Sequence, residues 1–153
     1  MDKTAHTSLR LLLTLLAAAL LAAGITGCGT SPGPDARAID LAGTSWLLTH
    51  VDGEPLPPDF APRELISLRF SGHEPSVNGF AGCNRYGGPY EQDGADLRFA
   101  RLRATRMACP ELEWEHRFLQ ALQEVTSHGL REGRLVLRSN ERERLAFVPA
   151  PTP

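Results

Sequence analysis

The chain has 153 residues, 42% of them hydrophobic, with 16 basic residues against 18 acidic ones and a formal net charge of −2. That size suits one domain around a single core and leaves no room for two. So mild a balance supplies no basic face of the kind that nucleic-acid binding requires.

Lys3 and Arg10 make a basic start to an apolar run from Leu11 to Ile25, and Ile25-Thr26-Gly27-Cys28 has the form of a lipobox. Small residues before Cys28 let a signal peptidase reach the backbone, so residues 1–27 read as a lipoprotein signal peptide. Acylation of Cys28 with more than one chain, at about 0.8 kcal/mol per buried methylene, makes membrane attachment effectively stable. The competing reading is an uncleaved transmembrane helix. The run falls short of the roughly 20 apolar residues needed to cross a bilayer, and no basic stop-transfer cluster follows. Gly29 is not the aspartate that retains lipoproteins in the inner membrane of enteric bacteria, so the expected location is the periplasmic face of the outer membrane.

Residues 28–40, with Ser31-Pro32-Gly33-Pro34 at their centre, read as a flexible tether. The domain is expected over residues 41–149, followed by a Pro-rich tail over 150–153. Thr44 to Val51 reads as a strand stopped by Asp52-Gly53, and Pro55, Pro57, Pro58 and Pro62 then mark a surface loop. Ile66, Leu68 and Phe70 alternate with polar residues, which predicts a half-buried strand with one wet face. From Ser76 to Tyr90, Gly79, Gly82, Gly87 and Gly88 read as turns and bulges between short twisted strands. Leu97 and Phe99 alternate in a further strand.

The periodicity then changes. Pro110 suits a first helical position, Glu111, Glu113 and Glu115 favour a helix N-terminus, and Trp114, Phe118, Ala121, Leu122 and Val125 form an apolar stripe. A helix over about 110–127 is expected to cover the sheet, with Trp46 and Trp114 in the core. Arg134 to Ser139 and Arg142 to Val148 alternate again across Ser139-Asn140-Glu141 as a closing hairpin. The fold class is mostly β (α+β): a curved antiparallel sheet or partly open β-barrel with one amphipathic helix packed on it.

Three cysteines in an exported chain would normally leave a stray thiol, but lipidation of Cys28 leaves Cys83 and Cys109 free to pair in an oxidising compartment. Closing the loop between them is worth about 3.5 kcal/mol in the chain-entropy model. Two reduced buried thiols, or half of a metal site completed by His73 or His116, are the other readings. Neither has ligand spacing behind it, since there is no Cys-x-x-Cys and no His pair at helical interval.

Two segments exceed generic β-domain grammar: Gly79-Phe80-Ala81-Gly82-Cys83-Asn84-Arg85-Tyr86-Gly87-Gly88-Pro89-Tyr90 and Ala104-Thr105-Arg106-Met107-Ala108-Cys109-Pro110-Glu111. With Gly43-Thr44-Ser45-Trp46 upstream and the helix downstream, they resemble the META domain, or HslJ-like family, of bacterial envelope lipoproteins. The resemblance covers most of Leu41 to Pro149. It implies a small antiparallel β domain with one helix, often lipid-tethered, and a link to envelope stress and tolerance of toxic compounds. It implies no known reaction, ligand or cofactor.

Read physically, the motif residues are structural first. Gly79 and Gly82 permit positive φ or close backbone approach, and Asn84 can bond its own loop. Tyr86 and Tyr90 would share one sheet face, as packing residues or as a ligand-stacking surface. Arg85 and Arg106 would recognise an anion if they converge, or else pair with nearby carboxylates. Cys109, just ahead of a helix, is a redox or nucleophilic candidate that lacks a partner base and that pairing with Cys83 would silence. His50, His73, His116 and His128 are scattered, and Ser45, Ser67 and Ser76 lack a nucleophile-elbow pattern. No catalytic, cofactor or metal site is therefore expected. The leading functional expectation is a non-enzymatic, membrane-attached protein-interaction or chaperone-like module with an envelope protein partner. A binding module for a small apolar or lipid-like molecule is the alternative, and a thiol-dependent redox protein the third.

Overall fold

A computed structural model describes residues 37–60, 64–110 and 112–151. The signal peptide, Cys28 and most of the expected tether lie outside the described residues.

Among the described residues ten strands form one antiparallel sheet: β1 (Ser45–Val51), β2 (Glu54–Pro55), β3 (Ser67–Phe70), β4 (Ser76–Phe80), β5 (Arg85–Asp93), β6 (Asp96–Phe99), β7 (Arg103–Ala104), β8 (Ser127–Arg131), β9 (Arg134–Ser139) and β10 (Arg142–Pro149). Their order is β10-β9-β8-β6-β5-β4-β3-β1-β2, with β7 on the flank of β5, and β1 also pairs with β10. The sheet curls back on itself without becoming a closed barrel. Between β6 and β8 the pairing shrinks to Asp96 opposite Ser127.

The alternating apolar residues of these strands point inward, and Leu48, Val51, Leu68, Leu97, Leu137, Leu145 and Phe147 are all buried. Helix α1 (Leu112–Gln123) lays Phe118, Ala121 and Leu122 onto them with no exposed surface. The Phe118 ring meets Tyr86 at 5.5 Å and Phe147 at 6.4 Å, both edge-on.

Several expectations are corrected. The helix stops at Gln123 because its last turn tightens, Glu124 N–H donating to Ala121 O and Val125 N–H to Leu122 O. Thr126 N–H then donates to Arg138 O and draws the chain into β8, a strand that the sequence reading lacked. Trp114 is half-buried, edge-on to Phe60 at 6.0 Å and beneath the Arg117 guanidinium at 4.5 Å, so it covers the domain from outside. Trp46 is core, as expected. Strand β3 has no fully wet face, since Ser67 is buried and its Oγ accepts from Phe80 N–H at 3.2 Å.

The expected tether also reaches too far toward the domain. Arg37 bridges to Leu130, Leu41 N–H donates to Gln92 Oε1, and Gln92 Nε2 donates to Ile39 O at 2.7 Å. Residues 37–40 are thus pinned to the sheet.

Candidate functional site

Three of the four motif glycines lie inside strands, where the sequence reading placed turns. At Gly79 the reason is close approach: a Cβ there would stand 2.0 Å from Ser67 O. Only Gly82 is in a turn, at φ +114°, a conformation that residues with a side chain rarely adopt. That turn swings Cys83 and Asn84 toward the N-terminal end of α1.

There Glu115, buried on the same helix face as Phe118 and Leu122, meets them. Its Oε2 accepts from Asn84 N–H at 2.7 Å and Cys83 N–H at 3.2 Å, and its Oε1 accepts from Asn84 Nδ2 at 2.8 Å. Asn84 Nδ2 also donates to Met107 O at 3.2 Å, while Asn84 Oδ1 accepts from Met107 N–H at 2.7 Å and Thr105 Oγ1 at 2.8 Å. All four hydrogen-bonding positions of the Asn84 amide are filled, as a buried amide requires. Cys83 and Cys109 form a disulfide with their Cα atoms 6.1 Å apart, within bonding reach. The two sulfurs are therefore neither a reduced pair nor half of a metal site, and Cys109 offers no free thiol.

Tyr86 and Tyr90 are both packing residues. Tyr86 donates to Ser67 O at 2.9 Å, and its burial raises the phenol well above the ordinary tyrosine range. Tyr90 stacks edge-on to Phe70 at 5.0 Å. Among the histidines, His128 is buried with its ring nitrogens 3.0 Å from Ala95 O and 2.9 Å from Ile39 O, which fastens the N-terminal segment to the sheet.

The segment Arg103 to Met107 of the second motif is exposed. On one side is a groove of about 580 Å³ lined by Glu64, Phe80, Cys83, Arg85, Thr105, Arg106 and Met107. Arg85 and Arg106 do share this groove, but Arg85 pairs with Glu64 at 2.9 Å. Arg106 has no ion-pair partner among the described residues. Among the described residues two large hydrophobic side chains are left exposed: Met107, which lines the groove, at 50%, and Leu65, next in the chain to the groove residue Glu64, at 59%. On the other side a second groove of about 630 Å³ separates the segment from Leu112, His116 and Leu119 of α1.

From the sequence Glu115 was expected only to favour the helix N-terminus, and Thr105 and Met107 stood only as members of a motif. A signal for Glu115 was present: it stands three residues before Phe118 and seven before Leu122, on the buried stripe. A carboxylate there needs donors, and Asn84 with its turn supplies them.

Among the described residues, a curled antiparallel sheet under one helix, clamped by a disulfide beside a filled polar cluster and an open groove, defines a small, mostly β domain. The chain belongs to the META domain family, whose model matches residues 39–152. It is similar to an NMR structure of a protein from Burkholderia xenovorans, with 28% identity, a TM-score of 0.61, and 80% of this chain and 99% of that chain covered. A second NMR structure shares the fold at 24% identity and a TM-score of 0.55, over 71% of this chain and 90% of the other. No curated protein matches the chain.

Proposed function

We propose that this META-domain protein is a non-enzymatic interaction module, held by lipid on Cys28 at the periplasmic face of the outer membrane. It acts there on an envelope protein, in the setting of envelope stress or tolerance of toxic compounds. One observation carries the reading: the cysteines, the Asn84 amide and the Tyr86 phenol of the two motifs are used up inside the fold. Asn84 and Glu115 satisfy each other, Cys83 and Cys109 are bonded, and Tyr86 is buried. What the motifs leave outside is a groove with Arg106, Met107 and nearby Leu65, an apolar and cationic surface suited to a partner. Among the described residues no helix is long and apolar enough to cross a membrane.

The test is complementation of a deletion strain under envelope stress. Leu65→Ser with Met107→Ser and Arg106→Glu should abolish complementation while the purified variant keeps the parental Tm and accumulates to the same level. The reading fails if that variant complements fully, or if purified protein turns over a substrate in a way that depends on Cys109 or a histidine.

The small-ligand reading moves outward. Phe118, Leu122 and Phe147 fill the space between helix and sheet, whereas the groove beside Phe80 has the volume of a small-molecule site. Native mass spectrometry after mild extraction, showing no bound species, would count against it.

A further inference from the structure

The segment Arg103 to Met107 is paired along one edge alone. Arg103 lies opposite Gly87 and Ala104 opposite Tyr86, and Thr105 N–H donates to Arg85 O at 3.0 Å. In an antiparallel ladder the backbone groups of successive residues face opposite edges. Thr105 faces β5 and Met107 N–H faces Asn84, so the N–H and C=O groups of Ala104 and Arg106 face away. Neither has a hydrogen-bond partner among the described residues, and the whole segment is exposed. That edge looks into the groove whose floor is Leu102 and whose far wall is Leu112, His116 and Leu119 of α1.

We infer that this edge is where the partner docks, by adding an extended acidic strand to Ala104 and Arg106. The inference rests on the interaction-module reading above and gives it a geometry. Strand addition uses main-chain bonds for affinity and side-chain positions for choice of partner. The charges set that choice. Among the described residues Arg103 and Arg106 flank the edge without ion-pair partners, and the one carboxylate lining the groove, Glu115, is buried and already bonded. Directly opposite positions on neighbouring strands interact, so carboxylates three residues apart on the incoming strand would face both arginines. A second copy of the same edge would bring two further arginines to it and, among the described residues, no free carboxylate, so it offers no charge complementarity. The segment 28–36 of this chain has Asp35 as its only acid and carries Pro32 and Pro34, so it does not fit either.

The probe is the capped peptide acetyl-Thr-Glu-Val-Val-Glu-Thr-amide, titrated into full-length protein in mild detergent with backbone amides followed by NMR. Saturable binding should slow exchange of the Ala104 and Arg106 amides at least tenfold and leave Thr105 and Met107 unchanged. The Lys-for-Glu peptide should bind at least tenfold more weakly, and Arg103→Glu with Arg106→Glu should reverse that preference. Ala104→Pro removes one free N–H without touching the Thr105 bond to β5, and should abolish binding with the Tm preserved. Unchanged Ala104 and Arg106 exchange at saturating peptide would overturn the inference, as would full binding by Ala104→Pro. So would protection of these amides that rises with protein concentration alone, because the occupant would then be a second copy. If Ala104→Pro complements the deletion strain while the Leu65, Met107 and Arg106 variant does not, the edge is wrong and the module reading stands.

Discussion

Glu115→Gln exchanges one oxygen of the buried carboxylate for an amide nitrogen and leaves its shape unchanged. In the better of its two orientations the remaining oxygen still accepts from Asn84 N–H and Cys83 N–H, but the new Nε2 then faces Asn84 Nδ2, donor against donor. One charge-assisted bond of 2.8 Å is lost and a buried donor is left opposed. Losses of this kind cost about 2–4 kcal/mol. In a domain of this size that lowers Tm by roughly 10–20 °C. Urea titration followed by circular dichroism should show a lower midpoint at unchanged m-value. Glu113→Gln, on the exposed side of the same turn, should stay within about 0.5 kcal/mol of the parent. Adding Asn84→Asp to Glu115→Gln places an acceptor before the new amide, so the double variant should be less destabilised than the sum of the singles by about 1–2 kcal/mol. Glu115→Gln within about 0.5 kcal/mol of the parent, or no coupling, would refute the reasoning.

Reducing the Cys83–Cys109 bond, or replacing both residues with serine, should cost about 3.5 kcal/mol from a loop closed across 26 residues; a midpoint unmoved by reductant would contradict it. Gly79→Ala forces a Cβ against Ser67 O and should cost more than about 3 kcal/mol or abolish soluble folding, whereas Gly94→Ala, with open space around it but φ of +56°, should cost about 1 kcal/mol. Burial raises the Tyr86 phenol in the folded state, so the stability from keeping it neutral is complete below the ordinary tyrosine value near 10 and is lost as pH climbs past it. Absorbance at 295 nm should therefore show Tyr86 phenolate appearing together with alkaline unfolding, and Tyr86→Phe should remove that component.

The architecture was legible because strand alternation and helical periodicity are both local signals: β1, β3, β6, α1 and the hairpin of β9 and β10 all stand near their expected places. Strand β8 was not, since Ser127-His128-Gly129 carries little alternation and its order comes from pairing with β9 and from the Glu132-Gly133 turn, both at positive φ. The strand glycines looked like turns because glycine at a close backbone approach and glycine at positive φ are the same letter. Which applies depends on Ser67, twelve residues before Gly79 in the chain and on the neighbouring strand, with its carbonyl oxygen where a Cβ of residue 79 would stand. The cysteine pair could be counted. The partnership of Asn84 with Glu115 could not, because it joins a turn to a helix face through contacts that only the assembled sheet sets.

Backbone amide exchange of the free protein, read residue by residue along Arg103 to Met107, tests the central claim that the Asn84 and Glu115 cluster holds this segment as a strand with one paired and one open edge. Slow exchange at Thr105 and Met107 alternating with fast exchange at Ala104 and Arg106 is the predicted result. Uniformly fast exchange, or protection at Ala104 and Arg106 equal to that of their neighbours, would contradict it.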